Sequence, residues 1–189
     1  MYNLRAKMFN KRACGPKSKP DEIIKALSLE KGQKVSDVGV GGGYFSLYFA
    51  ELVGKGGKVY AIDTNRNFLD FLSGNADERG FENVITILAD NEGFPAGCGD
   101  CDLVFMRNVY HHIPDREDYL RTMKEILKPG GMVVVIDYKD NGSFSFHRLF
   151  GHNVPRQQII SELDNAGYRL VDEYDFLPEQ NFLVFKVHD

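Results

Sequence analysis

Short runs rich in β-branched and aromatic residues recur along the chain: "KVSDVG" (34–39), "KVYAID" (58–63), "VITILA" (84–89), "CDLVFM" (101–106) and "MVVVID" (132–137). Their apolar character is nearly continuous, as expected of strands covered on both faces of a parallel sheet. Between them, segments 43–53, 65–79 and 115–127 carry apolar residues at helical spacing, and 20–29 does so ahead of the first strand. Strand and helix therefore alternate, which predicts crossover connections and a parallel sheet. Punctuation agrees: "SKPDE" (18–22) offers Ser18 as a cap with Pro20 in the first turn, and "LKPGG" (127–131) offers a helix stop and a turn. After the fifth strand the rhythm changes. A stretch without clear periodicity (138–153) leads to a helix from about Pro155 to Ala166, then "YRLVDEYDF" and "NFLVFKV" are separated by "LPEQ". Two strands that close pair as an antiparallel hairpin. The expected architecture is one α/β domain over 1–189: a doubly wound, mostly parallel seven-stranded sheet ending in an antiparallel C-terminal hairpin, preceded by an N-terminal cap segment (1–30).

Composition narrows the function classes. A chain of 189 residues, 43% of them hydrophobic, can bury a full layered core. The net charge of −4 supplies no basic stripe to displace counterions from a phosphate backbone, so DNA is not an expected partner and RNA is a weak one. Cys14, Cys98 and Cys101 do not make an even disulfide framework, and the first fifteen residues lack a signal peptide's apolar stretch. The run "MVVVI" (132–136) is far short of the ~20 residues a membrane span needs. A cytoplasmic protein without a membrane partner is expected.

Ligands of doubly wound sheets sit beyond the carboxyl ends of the strands, so the residues closing each strand carry the candidate chemistry. "DVGVGGG" closes the first: Asp37, then Gly39, Gly41 and Gly43, which bring bare backbone and free N–H groups to a helix start. The second closes on Asp63 and Thr64, where a carboxylate can accept both hydroxyls of a ribose. The third closes on Asp90 and Asn91, placed to meet an exocyclic amine of a base and offer it a backbone N–H. A nucleoside-bearing ligand follows. A dinucleotide fingerprint, Gly-x-Gly-x-x-Gly, fails in either frame, because the sixth position is Tyr44 or Ser46.

On these residues the chain resembles the class I S-adenosylmethionine-dependent methyltransferases, with a small-molecule, type 11/25-like core. The family's first motif is matched by Asp37, Gly39, Gly41 and Gly43, its second-strand acid by Asp63 and its third-strand acid by Asp90. "DLVFMRNVYHHIPD" (102–115) and "MKEILKPGGMVVVID" (123–137) are similar to its fourth- and fifth-strand segments. The resemblance implies S-adenosylmethionine as cofactor and in-line attack of a small-molecule acceptor on the sulfonium methyl. It also implies that Asn108 holds the methionine end of the donor. Alternatives are transfer to RNA or protein, or donor binding without transfer.

Aligning a nucleophile with the C–S bond supplies much of the rate, so a base is needed only where the acceptor must lose a proton. Tyr110 and His111 or its neighbour His112 are the candidate proton acceptors, with Asp115 placed to cap the helix that follows. Arg107, His147 and Arg148 are candidate acceptor contacts. The segment 138–155, with Phe146 among its phenylalanines, is expected to act with Tyr2 and Phe9 as a lid over a small, partly aromatic or anionic acceptor. "CGDC" (98–101) lacks further ligands, so Cys98 and Cys101 are read as packing residues and no metal is expected.

Overall fold

A computed structural model describes residues 2–90, 94, 97–139 and 154–188. Seven strands form one sheet: β1 Lys34–Val38, β2 Lys58–Asp63, β3 Val84–Leu88, β4 Cys101–Arg107, β5 Leu127–Tyr138, β6 Tyr168–Tyr174 and β7 Gln180–Val187. Their order is β3-β2-β1-β4-β5-β7-β6, and β7 runs antiparallel to both its neighbours. The chain switches direction across the sheet between β1 and β4, which pair in parallel, and in open sheets of this kind the ligand crevice lies beyond the strand ends at that point.

Helices α1 Tyr2–Ala13, α2 Pro20–Leu27, α3 Tyr44–Val53, α4 Arg66–Glu78, α5 Arg116–Met123 and α6 Arg156–Asn165 accompany the sheet. On one face Ile23 of α2 and Phe45 and Phe49 of α3 pack on Val35, Leu103, Phe105 and Val134. Phe105 lies within 5.2 Å of both phenylalanine rings, centroid to centroid, a spacing at which aromatic pairs add to simple area burial. On the other face Leu120 and Met123 of α5 and Ile159 and Leu163 of α6 cover Val104, Met106, Val133 and Val135. Among the described residues no helix is long and apolar enough to cross a membrane.

Several local expectations change. β3 is an edge strand with Ile85 and Leu88 exposed, so its apolar run does not mark a central position. β5 starts at Leu127 because Leu127 pairs with Cys101, and the register then shifts between Cys101 and Leu103, with Gly130 at φ 80. α5 gives way at Lys124 to one 3₁₀ turn ending at Ile126. Ser18 does not cap α2: its hydroxyl donates to the Arg12 carbonyl, and left-handed Lys19 takes the cap position. Asp115 likewise makes no side-chain cap bond to α5 and sits at φ 42. α1 itself has no counterpart among the helices expected from periodicity, since its apolar residues form no continuous stripe.

Candidate active site

The crevice holds a cavity of about 980 Å³, lined by the ends of β1 to β5, by α1 and by the segment after β4. At the end of β1 the chain must reverse within a few residues beneath other backbone. Gly39 has φ 76, and a Cβ there would meet Val109 Cγ2 at 2.6 Å. Gly42 lies directly under α1, where a Cβ would overlap both Asn10 Oδ1 and the Ala6 carbonyl oxygen. α1 is therefore seated on the glycine loop. Asn10 Oδ1 accepts from the Tyr44 N–H (3.1 Å), capping α3 from a distant part of the chain, and Phe9 packs edge-on against Phe68.

Two acids support this loop. Asp63 accepts from the Gly41 N–H (3.0 Å) and the Asn65 N–H (2.9 Å), so one carboxylate ties the ends of β1 and β2 together while it lines the cavity. Burial raises its pKa, opposed by those backbone bonds. Asp37 is 4% exposed and receives the Ser46 hydroxyl at 2.5 Å. Burial pushes its pKa up to about 7, against the Ser46 bond and with a further push from Asp63. The folded protein therefore keeps a proton on Asp37 at pH values where the unfolded chain has lost it. That contribution to stability is full below the ordinary carboxylate range and is lost as pH rises to about 7. Between pH 4 and 7.5 the wild type should lose on the order of 4 kcal/mol relative to Asp37→Asn. Urea unfolding of both proteins across this range measures it, and parallel pH profiles would show that Asp37 is not held protonated.

Beyond β4, Asn108 adopts φ 55 and its Oδ1 accepts from Gln180 Nε2, while its N–H donates to the Ile136 carbonyl (2.8 Å). A 3₁₀ turn, Tyr110–His112, follows. His111 and its neighbour Tyr110 face opposite ways. His111 lines the cavity with its Nδ1 2.8 and 3.0 Å from the two oxygens of Asp137, which is wholly buried at the end of β5. Asp137 also accepts from the N–H groups of His111 (3.1 Å) and Tyr138 (2.8 Å). An Nδ1–H held by a carboxylate selects the tautomer in which Nε2 carries the basic lone pair.

Tyr110 points into the core instead, with its hydroxyl donating to Glu162 (2.7 Å), which Arg116 also clamps with two bonds of 2.7 and 2.8 Å. Burial and the Glu162 contact raise the phenol's pKa. Its expected role as proton acceptor does not suit a phenol turned away from the cavity.

The remaining expected residues divide cleanly. Thr64, Asp90 and Arg107 line the cavity with Gly39, Gly41 and Asn108, whereas Gly43 shapes the turn from behind, where a Cβ would overlap Leu72. Asn91, Phe146, His147 and Arg148 lie outside the described residues, as does most of the expected lid 138–155. Cys101 is buried in the core and Cys98 packs against it, and burial raises their pKa values to about 12 and about 11. Both thiols are thus kept neutral.

A family model described as a methyltransferase domain matches residues 29–170. The chain belongs to the class I S-adenosylmethionine-dependent methyltransferases. It is 30% identical over 129 residues to a demethylmenaquinone methyltransferase of Anoxybacillus flavithermus, covering 68% of this chain and 54% of that protein. It is 29% identical over 177 residues to the ubiquinone/menaquinone biosynthesis C-methyltransferase UbiE of Cronobacter sakazakii, covering 88% and 68% respectively. The chain thus spans about half the length of the first of these relatives. A methyltransferase from Aquifex aeolicus has the same fold, with a TM-score of 0.81 at 22% identity over 95% of this chain and 97% of that one.

The methyltransferase's cofactor, S-adenosylmethionine, fits the residues present. Asp63 and Asp90 end adjacent strands at one side of the cavity, and the glycine loop leaves open the space that side chains would fill. Four contributors escaped the sequence: Asn10, which seats α1; Asp137, which orients His111; Gln180, which holds Asn108 and Arg107; and Glu162, which fixes Tyr110. Asp137 had a legible signal, as an acid at a strand's carboxyl end, but nothing paired it with His111.

Proposed function

We propose that this methyltransferase moves the methyl group of S-adenosylmethionine to a small-molecule acceptor, with His111 taking the proton that the acceptor's nucleophilic atom gives up. The donor supplies an electrophilic methyl on a positive sulfur. The protein's work is to hold the nucleoside through Asp63, Thr64 and Asp90, to bring backbone close at Gly39 and Gly41, to hold the donor's methionine end at Asn108, and to align the acceptor with the methyl group. The observation that carries this reading is His111, 2.8 Å from the buried Asp137 and lining the same cavity as Asp63 and the glycine loop. A histidine oriented by a buried carboxylate is suited to general-base work near neutral pH. The activities for which the quinone-modifying relatives are named favour a small acceptor over a macromolecule.

The test is transfer of labelled methyl from the donor into a metabolite extract, compared with RNA and protein fractions. Label should enter the small-molecule fraction, and Asp63→Ala should weaken donor binding by about 1.5–3 kcal/mol, the worth of a charge-assisted hydrogen bond. Label in the RNA or protein fraction alone would overturn the acceptor class, and donor binding without transfer to any fraction would overturn the enzymatic reading.

A further inference from the structure

Arg107 closes β4 on the cavity wall, and its guanidinium is only partly matched. Nη2 donates to the Ser18 carbonyl (3.3 Å) and to Gln180 Oε1 (3.2 Å), while Nε and Nη1 are buried without a partner. No carboxylate among the described residues answers the charge. Asp37 is bonded to Ser46, Asp137 to His111 and the Tyr138 N–H, and Glu179 at the rim to Lys17. Burial lowers the arginine's pKa to about 10, which still leaves it a cation at neutral pH. A buried cation with unused donors is costly unless an anion meets it, and the planar fork of arginine suits a carboxylate or phenolate oxygen.

The surroundings are aromatic and lie on the β4–β5 side of the crevice. The guanidinium carbon sits 4.9 Å from the centre of the Phe45 ring, and Tyr44 and Tyr138 line the same wall. Tyr138 links this group to the base: Arg107's charge acts on the Tyr138 hydroxyl, and the Tyr138 ring lies 6.4 Å from His111. Arg12, at the rim, adds its charge to the same hydroxyl. Asp63 and Asp90, which take the nucleoside, end β2 and β3 on the opposite side of β1.

We propose that Arg107 anchors an anionic oxygen of the acceptor, so that the substrates are planar organic acids, either aromatic carboxylates or acidic phenols. Gln180 is then a positioning residue, since its amide joins Arg107 to Asn108 and holds the guanidinium by Nη2, leaving Nε and Nη1 unbonded. The proposal rests on the cavity being the methyl-transfer site.

Calorimetric titration with benzoate and with benzamide, in the presence and absence of S-adenosylhomocysteine, tests both layers. Benzoate should bind at least tenfold more tightly than benzamide. Arg107→Met should erase that preference while leaving S-adenosylhomocysteine affinity within about twofold, and Arg107→Lys, which keeps the charge without the fork, should retain part of it. Equal binding of benzoate and benzamide to the wild type overturns the anion site. So does an Arg107→Met protein that loses affinity for S-adenosylhomocysteine but not for 5′-methylthioadenosine, because Arg107 would then serve the donor's own carboxylate. Selective benzoate binding by a wild type that ignores S-adenosylhomocysteine keeps the anion site and instead removes the methyl-transfer reading on which it is built.

Discussion

Replacing His111 with Gln should lower kcat by two to four orders of magnitude, about the range that a positioned general base contributes. Donor affinity should stay within about twofold, because His111 is held by Asp137 at β5 while Asp63, Asp90 and the glycine loop, the nucleoside contacts proposed above, lie at the ends of β1 to β3. Asp137→Asn should lose turnover in the same direction. An amide has one oxygen to offer where the carboxylate now accepts from His111 Nδ1 and from the N–H groups of His111 and Tyr138. The readout is single-turnover transfer of labelled methyl at several pH values, with donor affinity measured in parallel. A His111→Gln enzyme that keeps its rate, and its dependence on pH, would show that the acceptor reacts without a base and that His111 has a purely structural place.

The second large effect is expected at Gly42, where one methyl group suffices. A Cβ there meets the Ala6 carbonyl oxygen and Asn10 Oδ1 inside contact distance, and the backbone oxygen cannot be moved by a rotamer change. Either the glycine loop or α1 must yield. Gly42→Ala should therefore release α1, with hydrogen-exchange protection lost across 2–13, and should weaken donor binding at least tenfold because α1 supplies Phe9, Asn10 and Arg12 to the cavity. Gly74→Ala is the matched control: it lies within α4 with nothing near its would-be Cβ, so it should be neutral or stabilising by about 1 kcal/mol. If Gly42→Ala binds the donor as the wild type does, with α1 still protected, the packing of α1 on this loop has no part in donor binding.

The strand ends were legible because each strand announces itself locally. "KVSDVG", "KVYAID" and "MVVVID" combine β-branched residues with a terminal acid, and those acids, Asp37, Asp63 and Asp137, all lie at one end of the sheet. What escaped was what depends on contacts between distant segments. Asn10 caps α3 across the chain, and Gln180 reaches Arg107 from the far strand β7. No periodicity signals such pairs. Ser18 and Asp115 were misplaced for a related reason: a cap motif states what a residue can do, and in each case the backbone turned left-handed next to or at that residue. Tyr110 shows the limit most clearly, since two adjacent residues of one turn serve opposite sides of the wall and only the packing decides which one meets the cavity.

That opposition has a mechanical consequence. Tyr110, clamped through Glu162 to Arg116 and α6, fixes the short turn from behind, while Asp137 fixes its next residue from the front. The imidazole is thus braced at both ends of a single peptide unit, and its orientation is settled once, when the chain folds. If His111 is the base proposed above, the freedom that a loop-borne base would surrender in every catalytic cycle has already gone, and the barrier facing each acceptor molecule is lower by that entropy.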